Sequence, residues 1–355
     1  MFGKSKAVKV GNIIIGGDAP VTVQSMTNTD AHDFASTLRQ VSELEQAGCD
    51  IVRLSVPDND AAQVFAYLKN HGVKVPLVAD IHFDYQLALA AVKAGADKIR
   101  INPGNIGAKW KVEEVASSCK SAGVPIRIGV NGGSLEKRLL EKYSSPTPEA
   151  LAESAFSEIN ALESVGFSDI VVSIKSSKVS DMVQACRIVS RESDYPLHLG
   201  VTEAGGEYSG IIKNSVGIGS LLLEGIGDTI RVSLTADPVR EVKAGTEILK
   251  ALGLAKPSVH IVSCPTCART KIDLIKLSEK LNDAVAGIDT CGKDITVALM
   301  GCAVNGPGEA READIGVAGG DGDALLFKKG VSVCKIPEDE IVPRLVKEIN
   351  ALISI

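Results

Sequence analysis

The chain has few aromatic residues and no surplus of positive charge, and these two absences narrow its function. Phe, Trp and Tyr make up 4% of its 355 residues, and its formal net charge at pH 7 is −6. Proteins that bind nucleic acid generally present a basic face or aromatic side chains on which bases stack. The composition therefore predicts no nucleic-acid partner.

Long apolar runs and a dense set of cysteines along the whole chain are also missing. No stretch reaches the roughly 18 uninterrupted apolar residues of a membrane span, and the N-terminal ten residues lack the apolar segment of a secretory signal. Eight cysteines are too sparse in a chain of this length for a disulfide scaffold. These features predict a cytoplasmic protein with no membrane partner and no paired cysteine.

The chain does contain a regular alternation of short β-branched runs with helical patterns. The runs occupy residues 20–26, 50–56, 76–81, 98–102, 125–131, 169–175, 196–202 and 229–235. Eight strand–helix units in roughly 240 residues are typical of a (β/α)8 barrel. A doubly wound open sheet is the alternative, but its Gly-x-Gly-x-x-Gly turn does not follow the first run. We predict an α/β fold with a TIM-type barrel over residues 1–250.

The pattern changes after Lys256-Pro257, which has the character of a linker. Strand-like segments follow at residues 259–262, 295–300, 314–317, 324–327 and 330–334, before an amphipathic helix over 337–353. This order predicts a smaller α+β domain over residues 258–355.

Several of the barrel strands end on similar polar pairs. The pairs are Arg53-x-Ser55, Asp80-x-His82, Arg100-x-Asn102, Arg127-x-Gly129, Ser173-x-Lys175 and Arg231-x-Ser233. Side chains two apart on a strand share a face, and barrel enzymes build their sites at the carboxyl ends of the strands. Four Arg and one Lys are therefore expected to converge there, where they need anionic neighbours. Ion pairs with carboxylates are one explanation, but we favour a phosphate or diphosphate substrate, because Arg binds phosphate oxygens in bidentate fashion.

Other polar residues near the strand ends have two readings. Asn102 and Asn131 belong to Gly-rich turns, or contribute to binding phosphate. Glu203, beside Thr202, is either an acid or hydroxyl ligand in the site or the partner of an Arg. His82 is a candidate functional residue because it ends a strand, whereas we interpret His198 as an ordinary hydrogen-bonded histidine.

A candidate metal site lies in the second domain. Cys264-Pro-Thr-Cys267 and Gly301-Cys302, followed by Glu309, offer three thiolates and one carboxylate. Thiolates select iron–sulfur clusters, zinc or copper(I). A cubane cluster that only carries electrons normally takes four Cys, so a carboxylate ligand would mark an iron open to chemistry. A structural zinc is the alternative, with Cys291, Cys334 or His260 as fourth ligand. We interpret the other cysteines as small buried apolar side chains: Cys49, Cys119, Cys186, Cys291 and Cys334.

Seven segments together carry a resemblance that covers essentially the whole chain. They are Gln24-Ser-Met-Thr27, Arg53-Leu-Ser-Val-Pro57, Ala79-Asp-Ile-His-Phe83, Arg100-Ile-Asn-Pro-Gly-Asn105, Leu199-Gly-Val-Thr-Glu-Ala204, Cys264-Pro-Thr-Cys267 and Gly301-Cys-Ala-Val-Asn-Gly-Pro-Gly-Glu309. In sequence and order they closely resemble the bacterial 4-hydroxy-3-methylbut-2-en-1-yl diphosphate synthases. The resemblance implies a [4Fe-4S] enzyme of the methylerythritol phosphate route to isoprenoids. Its reaction would be the two-electron reductive opening and dehydration of 2-C-methyl-D-erythritol 2,4-cyclodiphosphate.

The resemblance also implies roles for individual residues. Cys264, Cys267, Cys302 and Glu309 would ligate the cluster, with Glu309 on the iron that the substrate reaches. The diphosphate would be bound by Arg53, Arg100, Arg127, Lys175, Arg231 and Ser233, and the other pocket positions are Asp80, His82, Asn102, Asn131, Thr202 and Glu203. We expect Glu203 to protonate the leaving hydroxyl, with His82 as the second candidate.

The partners expected from the resemblance are a flavodoxin or ferredoxin as electron donor and a second copy of the chain. In that homodimer the cluster domain of one subunit would cover the barrel of the other. Two other functions remain open at this point. One is a non-catalytic iron–sulfur or zinc sensor of a phosphorylated ligand, and the other is an aldolase-like phosphosugar lyase in which Lys175 forms a Schiff base.

Overall fold

The chain folds into two compact units, residues 1–255 and 256–355. The structure is a computed structural model that describes residues 5–302, 308 and 311–354, without the side chain of Ser134. The division between the units falls within the short segment left between the two predicted domains.

The first unit is a closed barrel of eight parallel strands, as predicted. The barrel strands are β3 (Thr22–Met26), β4 (Ile51–Ser55), β5 (Leu77–Asp80), β6 (Lys98–Ile101), β7 (Ile126–Asn131), β8 (Ile170–Lys175), β9 (Leu197–Leu199) and β10 (Thr229–Ile230). They follow one another in chain order around the barrel, and β10 closes it against β3. The last two strands are shorter than the runs that predicted them.

Helices surround the barrel and connect its strands. They are α1 (Phe34–Gln46), α2 (Val64–Asn70), α3 (Tyr85–Lys93), α4 (Pro103–Ile106), α5 (Lys109–Ala122), α6 (Lys137–Tyr143), α7 (Pro148–Glu163), α8 (Val179–Glu192), α9 (Glu207–Leu223) and α10 (Pro238–Ala251). Side-chain oxygens of Asp33, Thr147 and Asp237 accept hydrogen bonds from the free N–H groups that begin α1, α7 and α10. No helix in the described part of the chain combines the length and the apolar character needed to cross a bilayer.

A short antiparallel hairpin, β1 (Val8–Val10) and β2 (Ile13–Ile15), precedes the barrel and was not predicted. Its side chains form a separate buried cluster with Ile51 and Val78, which lie near the amino ends of β4 and β5. The hairpin therefore packs at the end of the barrel opposite the carboxyl ends of the strands, and leaves those ends available for a site.

The second unit is a five-stranded mixed sheet with helices, as expected for an α+β domain. Its elements are β11 (Val259–Ser263), α11 (Leu274–Val285), β12 (Ile295–Met300), β13 (Ile315–Gly319), β14 (Asp323–Lys328), β15 (Val331–Pro337) and α12 (Ile341–Ile353). Strands β11, β12 and β13 are parallel, and β13, β14 and β15 are antiparallel. Leu277, Leu281, Leu345 and Ile349 of the two helices pack with the sheet in one core. The helix α11 was not predicted.

Candidate active site

A cavity of about 370 Å³ opens at the carboxyl ends of the barrel strands. Its lining contains nearly all of the polar residues that were predicted to converge there. The lining residues are Arg53, Asp80, His82, Arg100, Arg127, Gly129, Asn131, Gly133, Ser173, Lys175, Thr202, Glu203, Arg231 and Ser233. Every barrel strand after β3 supplies at least one of them, either from its last residues or from the loop that follows.

Strand register explains why the cations meet. Arg100 on β6 is paired in register with Asp80 on β5 and with Arg127 on β7. Parallel strands in register present these three side chains at one level of the barrel, and a spacing of two residues keeps Lys175 on the same face as Ser173. The cavity is therefore a property of the strand ends and not of one loop.

Asp80 is the buried carboxylate among these cations. Its oxygens lie 3.3 Å from Arg100 Nη1, 3.8 Å from Arg53 Nε and 3.7 Å from His82 Nε2. Burial disfavours the charged carboxylate, but the charges of Arg53, Arg100 and Arg127 outweigh it and hold the pKa of Asp80 below its ordinary value. Asp80 is thus ionised at neutral pH and offsets part of the positive charge.

Arg231 has a carboxylate partner that was not predicted. The buried side chain of Glu241, in the first turns of α10, accepts hydrogen bonds from Arg231 Nε and Nη2 at 3.3 Å. It also accepts from the Ser25 hydroxyl at 3.0 Å and from the Leu234 N–H at 3.0 Å. Glu241 therefore fixes Arg231 from behind, outside the cavity lining.

Arg53 is held by a weaker acceptor. Its Nε and Nη2 lie 3.1 and 2.8 Å from the sulfur of Met26, the last residue of β3. A thioether accepts hydrogen bonds only weakly. The pKa of Arg53 is lowered to about 10, mainly by burial. Its guanidinium is still charged at neutral pH and is poorly satisfied by the protein.

The remaining cations, Arg127 and Lys175, have no anionic partner among the described residues. Within the described part of the chain, no carboxylate oxygen lies within 4 Å of Arg127 or Lys175, and Arg127 Nε and Nη1 make no hydrogen bond. Burial, reinforced by neighbouring Arg charges, lowers the pKa of both groups. Unpaired buried charge costs free energy, so the lining favours a ligand with at least two negative charges.

Glu203 and His82 lie at the exposed rim of this cavity, and Thr202 is half-buried beside Glu203. The φ of Glu203 is 52°, in the left-handed region that a side chain other than glycine enters at a cost of about 1–3 kcal/mol. A residue kept in such a conformation at the edge of a polar cavity is a candidate for function.

Asn102 was predicted to bind substrate but does not line the cavity. Its side-chain oxygen accepts from the Asn105 N–H at 3.1 Å and caps the short helix α4. The structure thus gives it a turn role, whereas Asn131 reaches the cavity lining. A substrate-binding role for Asn102 stays a prediction.

The three predicted cysteine ligands lie at one edge of the sheet in the second unit. Cys264 directly follows β11, and Cys302 follows β12, its parallel neighbour. The Gly301 N–H donates to Cys264 Sγ at 3.2 Å. A hydrogen bond from the Arg269 N–H is the main cause that lowers the pKa of the exposed Cys267 thiol.

This donor set fits an iron–sulfur group in its chemistry, since the three thiols are free, accessible and on adjacent loops. Residues 5–302, 308 and 311–354 contain no preassembled set of three or more metal-binding side chains. Glu309, the fourth predicted ligand, lies outside the described residues.

The other cysteines were predicted to be small buried side chains. Cys49, Cys119 and Cys186 are buried as predicted, and Cys334 is half-buried. The prediction for Cys291 was wrong, because its loop exposes it.

Family models match both units of the chain. The model described as "GcpE TIM-barrel domain" matches residues 5–246, and "GcpE protein C-terminal domain" matches residues 260–351.

Similar proteins extend the match over the full length. The chain is 57% identical over 347 residues to a protein of Clostridium acetobutylicum, with 98% of each chain covered. It is 55% identical over 349 residues to one of Clostridium perfringens, covering 98% of this chain and 99% of the relative. A protein of Geobacter sulfurreducens is 52% identical over 354 residues, covering 100% of this chain and 99% of the relative. All three carry the name 4-hydroxy-3-methylbut-2-en-1-yl diphosphate synthase (flavodoxin).

Solved structures at low identity show a likeness of fold alone. The type I 3-dehydroquinate dehydratase of Clostridium difficile matches with a TM-score of 0.52 at 15% identity, covering 70% of this chain and 98% of its own. The sialic acid synthetase of Leptospira borgpetersenii matches with a TM-score of 0.51 at 13% identity, covering 80% and 98%.

Proposed function

The chain belongs to the GcpE family of 4-hydroxy-3-methylbut-2-en-1-yl diphosphate synthases, and from this premise we infer its reaction. It is an iron–sulfur oxidoreductase that converts 2-C-methyl-D-erythritol 2,4-cyclodiphosphate into 4-hydroxy-3-methylbut-2-enyl diphosphate. One carbon–oxygen bond to phosphate breaks, one hydroxyl leaves as water, and two electrons and one proton are consumed. The product therefore carries one more negative charge than the substrate, a trianion in place of a dianion.

The observation that supports this reaction best is the charge of the barrel cavity. Five cationic side chains line it, whereas the buried carboxylates that contact them within the described residues are Asp80 and Glu241. A dianionic diphosphate supplies the missing negative charge, and Arg forks match its oxygens. We assign diphosphate binding to Arg53, Arg100, Arg127, Lys175, Arg231 and Ser233, and the other substrate contacts to Asp80, Asn102, Asn131 and Thr202.

Glu203 is the residue we assign to protonation of the leaving hydroxyl, with His82 as second candidate. It lines the cavity at the rim, where a carboxylic acid can be reprotonated from solvent. Removing a general acid typically costs about 10²–10⁴ in rate. Glu203→Gln should therefore lower kcat by at least about a hundredfold with little change in KM.

The control for this variant is Glu207→Gln, on α9, whose side chain pairs with Arg240 outside the cavity. It should keep wild-type kcat. Equal loss in both variants, or full activity of Glu203→Gln, would remove Glu203 from this role. In that case His82→Gln becomes the next variant to measure.

The cofactor we propose is a [4Fe-4S] cluster held by Cys264, Cys267, Cys302 and Glu309. When bound, it would supply electrons one at a time and an iron with an exchangeable carboxylate ligand. Cys302→Ser should lower bound iron and sulfide, whereas Cys291→Ser, at an exposed cysteine of the same unit, should leave both unchanged. Iron and sulfide analysis after anaerobic purification measures this, and zinc in place of iron would contradict the assignment.

The names of the relatives support a flavodoxin as electron donor, and ferredoxin is the alternative donor.

We also propose a homodimer acting in the cytoplasm. Mixing a variant lacking Glu203 with a variant lacking Cys302 tests the dimer. If active sites combine residues of both subunits, the mixture recovers part of the activity that each variant lacks.

A Schiff-base lyase is the second candidate, because burial lowers the pKa of Lys175 and makes its amine more nucleophilic. Borohydride treatment of enzyme incubated with a carbonyl-bearing phosphosugar distinguishes the two, because a Schiff base needs a carbonyl and the cyclic diphosphate has none. The reductase leaves the peptide that contains Lys175 unmodified, and a phosphosugar adduct on it would contradict the reductase.

A further inference from the structure

Below the cavity, the barrel interior contains a lysine that the proposed reaction does not use. Lys98 begins β6, two residues before Arg100, so both side chains face the interior. Lys98 is completely buried, whereas Arg100 reaches the cavity. The interior of such barrels is usually filled by Val, Ile and Leu, so a buried lysine at this level is an exception that needs a cause.

The amine of Lys98 is not satisfied by the protein. Its Nζ makes no hydrogen bond to any described residue, and no carboxylate oxygen of the described chain lies within 4 Å of it. His198 is also fully buried, with an unpartnered Nε2 and with Nδ1 3.4 Å from Thr229 Oγ1. Gln24, from β3, has no partner for either amide atom in the described part of the chain. Buried polar groups without protein partners indicate internal water and a strong penalty against a charge.

The charges that act on Lys98 are mainly positive. Burial is the main cause that lowers the pKa of Lys98, and the positive charges of Arg127 and Arg53 lower it further. Lys98 also acts on His198, together with Arg127, Lys175 and Arg53, and the pKa of that imidazole is lowered as well. The nearby buried carboxylates, Asp80 and Glu241, are already occupied by Arg53, Arg100 and Arg231.

We propose that Lys98 is a substrate-linked proton acceptor. Its amine is uncharged in the free barrel and takes up a proton from solvent when the diphosphate occupies the cavity above it. This inference rests on the proposed function, since it requires a diphosphate in that cavity. Two ligand charges offset the repulsion from the Arg side chains, and the new ammonium adds one positive charge beneath a reaction that creates one more negative charge.

Lys98 is the side chain of the interior layer best suited to this role. The ordinary pKa of a lysine is about four units above that of a histidine, so Lys98 binds the proton before the neighbouring His198 does. Once charged, Lys98 disfavours a proton on His198. Lys175 lines the cavity itself, so the experiment must distinguish a proton bound by Lys175 from one bound by Lys98.

Calorimetric titration of the cluster-loaded enzyme with the cyclic diphosphate, under anaerobic conditions and without reductant, counts the protons. Each phosphate of this ligand has a single, strongly acidic hydroxyl, so the ligand itself neither binds nor releases protons near neutrality. The observed binding enthalpy is plotted against the ionisation enthalpy of several buffers, and the slope is the number of protons taken up.

We expect uptake in wild-type enzyme, and a decrease of up to one proton in Lys98→Met and Lys98→Gln. Removing the ammonium charge of Lys98 should weaken binding of the cyclic diphosphate about tenfold. Proton uptake makes the affinity fall as pH rises, by as much as about tenfold per pH unit per proton, and this dependence should become shallower in both variants. The control is His198→Gln, at the same depth in the barrel, which should keep wild-type uptake.

Binding without proton uptake in wild-type enzyme overturns the inference, whether or not the variants fold. Wild-type uptake that persists in the Lys98 variants overturns it too, and assigns the proton to Lys175. If the cyclic diphosphate does not bind to wild-type enzyme at all, the proposed function fails instead.

Discussion

Arg127 and Arg231 line the same cavity, yet the structure predicts opposite effects on stability when each is replaced by Met. Arg127 is 1% exposed and has no carboxylate partner within 4 Å among the described residues. Arg231 pairs with the buried Glu241. In the first case the substitution removes an unpaired buried charge, and in the second it creates one.

The magnitudes follow from the cost of burying charge. Replacing a buried ion pair with apolar side chains of similar volume is often neutral or stabilising by about 1–4 kcal/mol, and an unpaired buried charge has no attraction to a partner to lose. At roughly 3 °C per kcal/mol for a unit of this size, Arg127→Met should raise Tm by about 3–12 °C. Removing one partner of a buried pair costs about 3–5 kcal/mol, so Arg231→Met should lower Tm by about 9–15 °C.

Substrate binding should weaken in both variants, because each loses a charge-assisted hydrogen bond worth about 1.5–3 kcal/mol, or about tenfold to a hundredfold in Kd. Thermal unfolding with and without the cyclic diphosphate measures stability and binding in one assay. A fall in Tm for Arg127→Met, together with unchanged binding, would refute the reasoning that the protein keeps this unpaired cation for an anionic ligand.

Two further predictions concern the same cavity. The folded-state pKa of Asp80 is lowered, so its stabilising effect is present above its ordinary pKa of 3.8 and is lost as pH falls through the folded value. Asp80→Asn should therefore be destabilised by about 3 kcal/mol at pH 7, and the difference from wild type in denaturant unfolding should shrink in acid. A Cβ at Gly129 would lie 2.7 Å from Arg100 Nε, whereas one at Gly133 meets nothing within 4 Å. Gly129→Ala should raise KM severalfold by displacing that guanidinium, and Gly133→Ala should not; equal KM values would contradict this.

The sequence was sufficient to predict the barrel because its strands are β-branched runs at regular intervals, and their polar ends follow a period of two. That period correctly brings Arg100, Arg127 and Lys175 to one cavity. The same period of two relates Gln24 to Met26 on β3. It indicates that the Met26 side chain also faces the barrel interior, where it contacts Arg53. A methionine in a sequence does not by itself indicate a partner for a cation, so the pattern alone does not predict this contact.

Other features depend on tertiary packing and have no local signal. Glu241 pairs with Arg231 only because α10 folds back over the end of β10, and a spacing of ten residues does not specify that contact. Cys291 is exposed because Asp289 caps a tight loop in which Cys291 has a φ of 52°. The hairpin is different, since its Gly11-Asn12 turn is a recognisable hairpin signal between two apolar runs.

Anaerobic turnover of the cyclic diphosphate is the most direct measurement of the assigned reaction. Enzyme purified without oxygen is supplied with reduced flavodoxin, and substrate, product and oxidised donor are quantified together. We expect 4-hydroxy-3-methylbut-2-enyl diphosphate, with two electrons consumed per molecule formed. Iron-loaded enzyme that binds the substrate but forms none of this product, or forms it without consuming electrons, would rule out the assigned reaction.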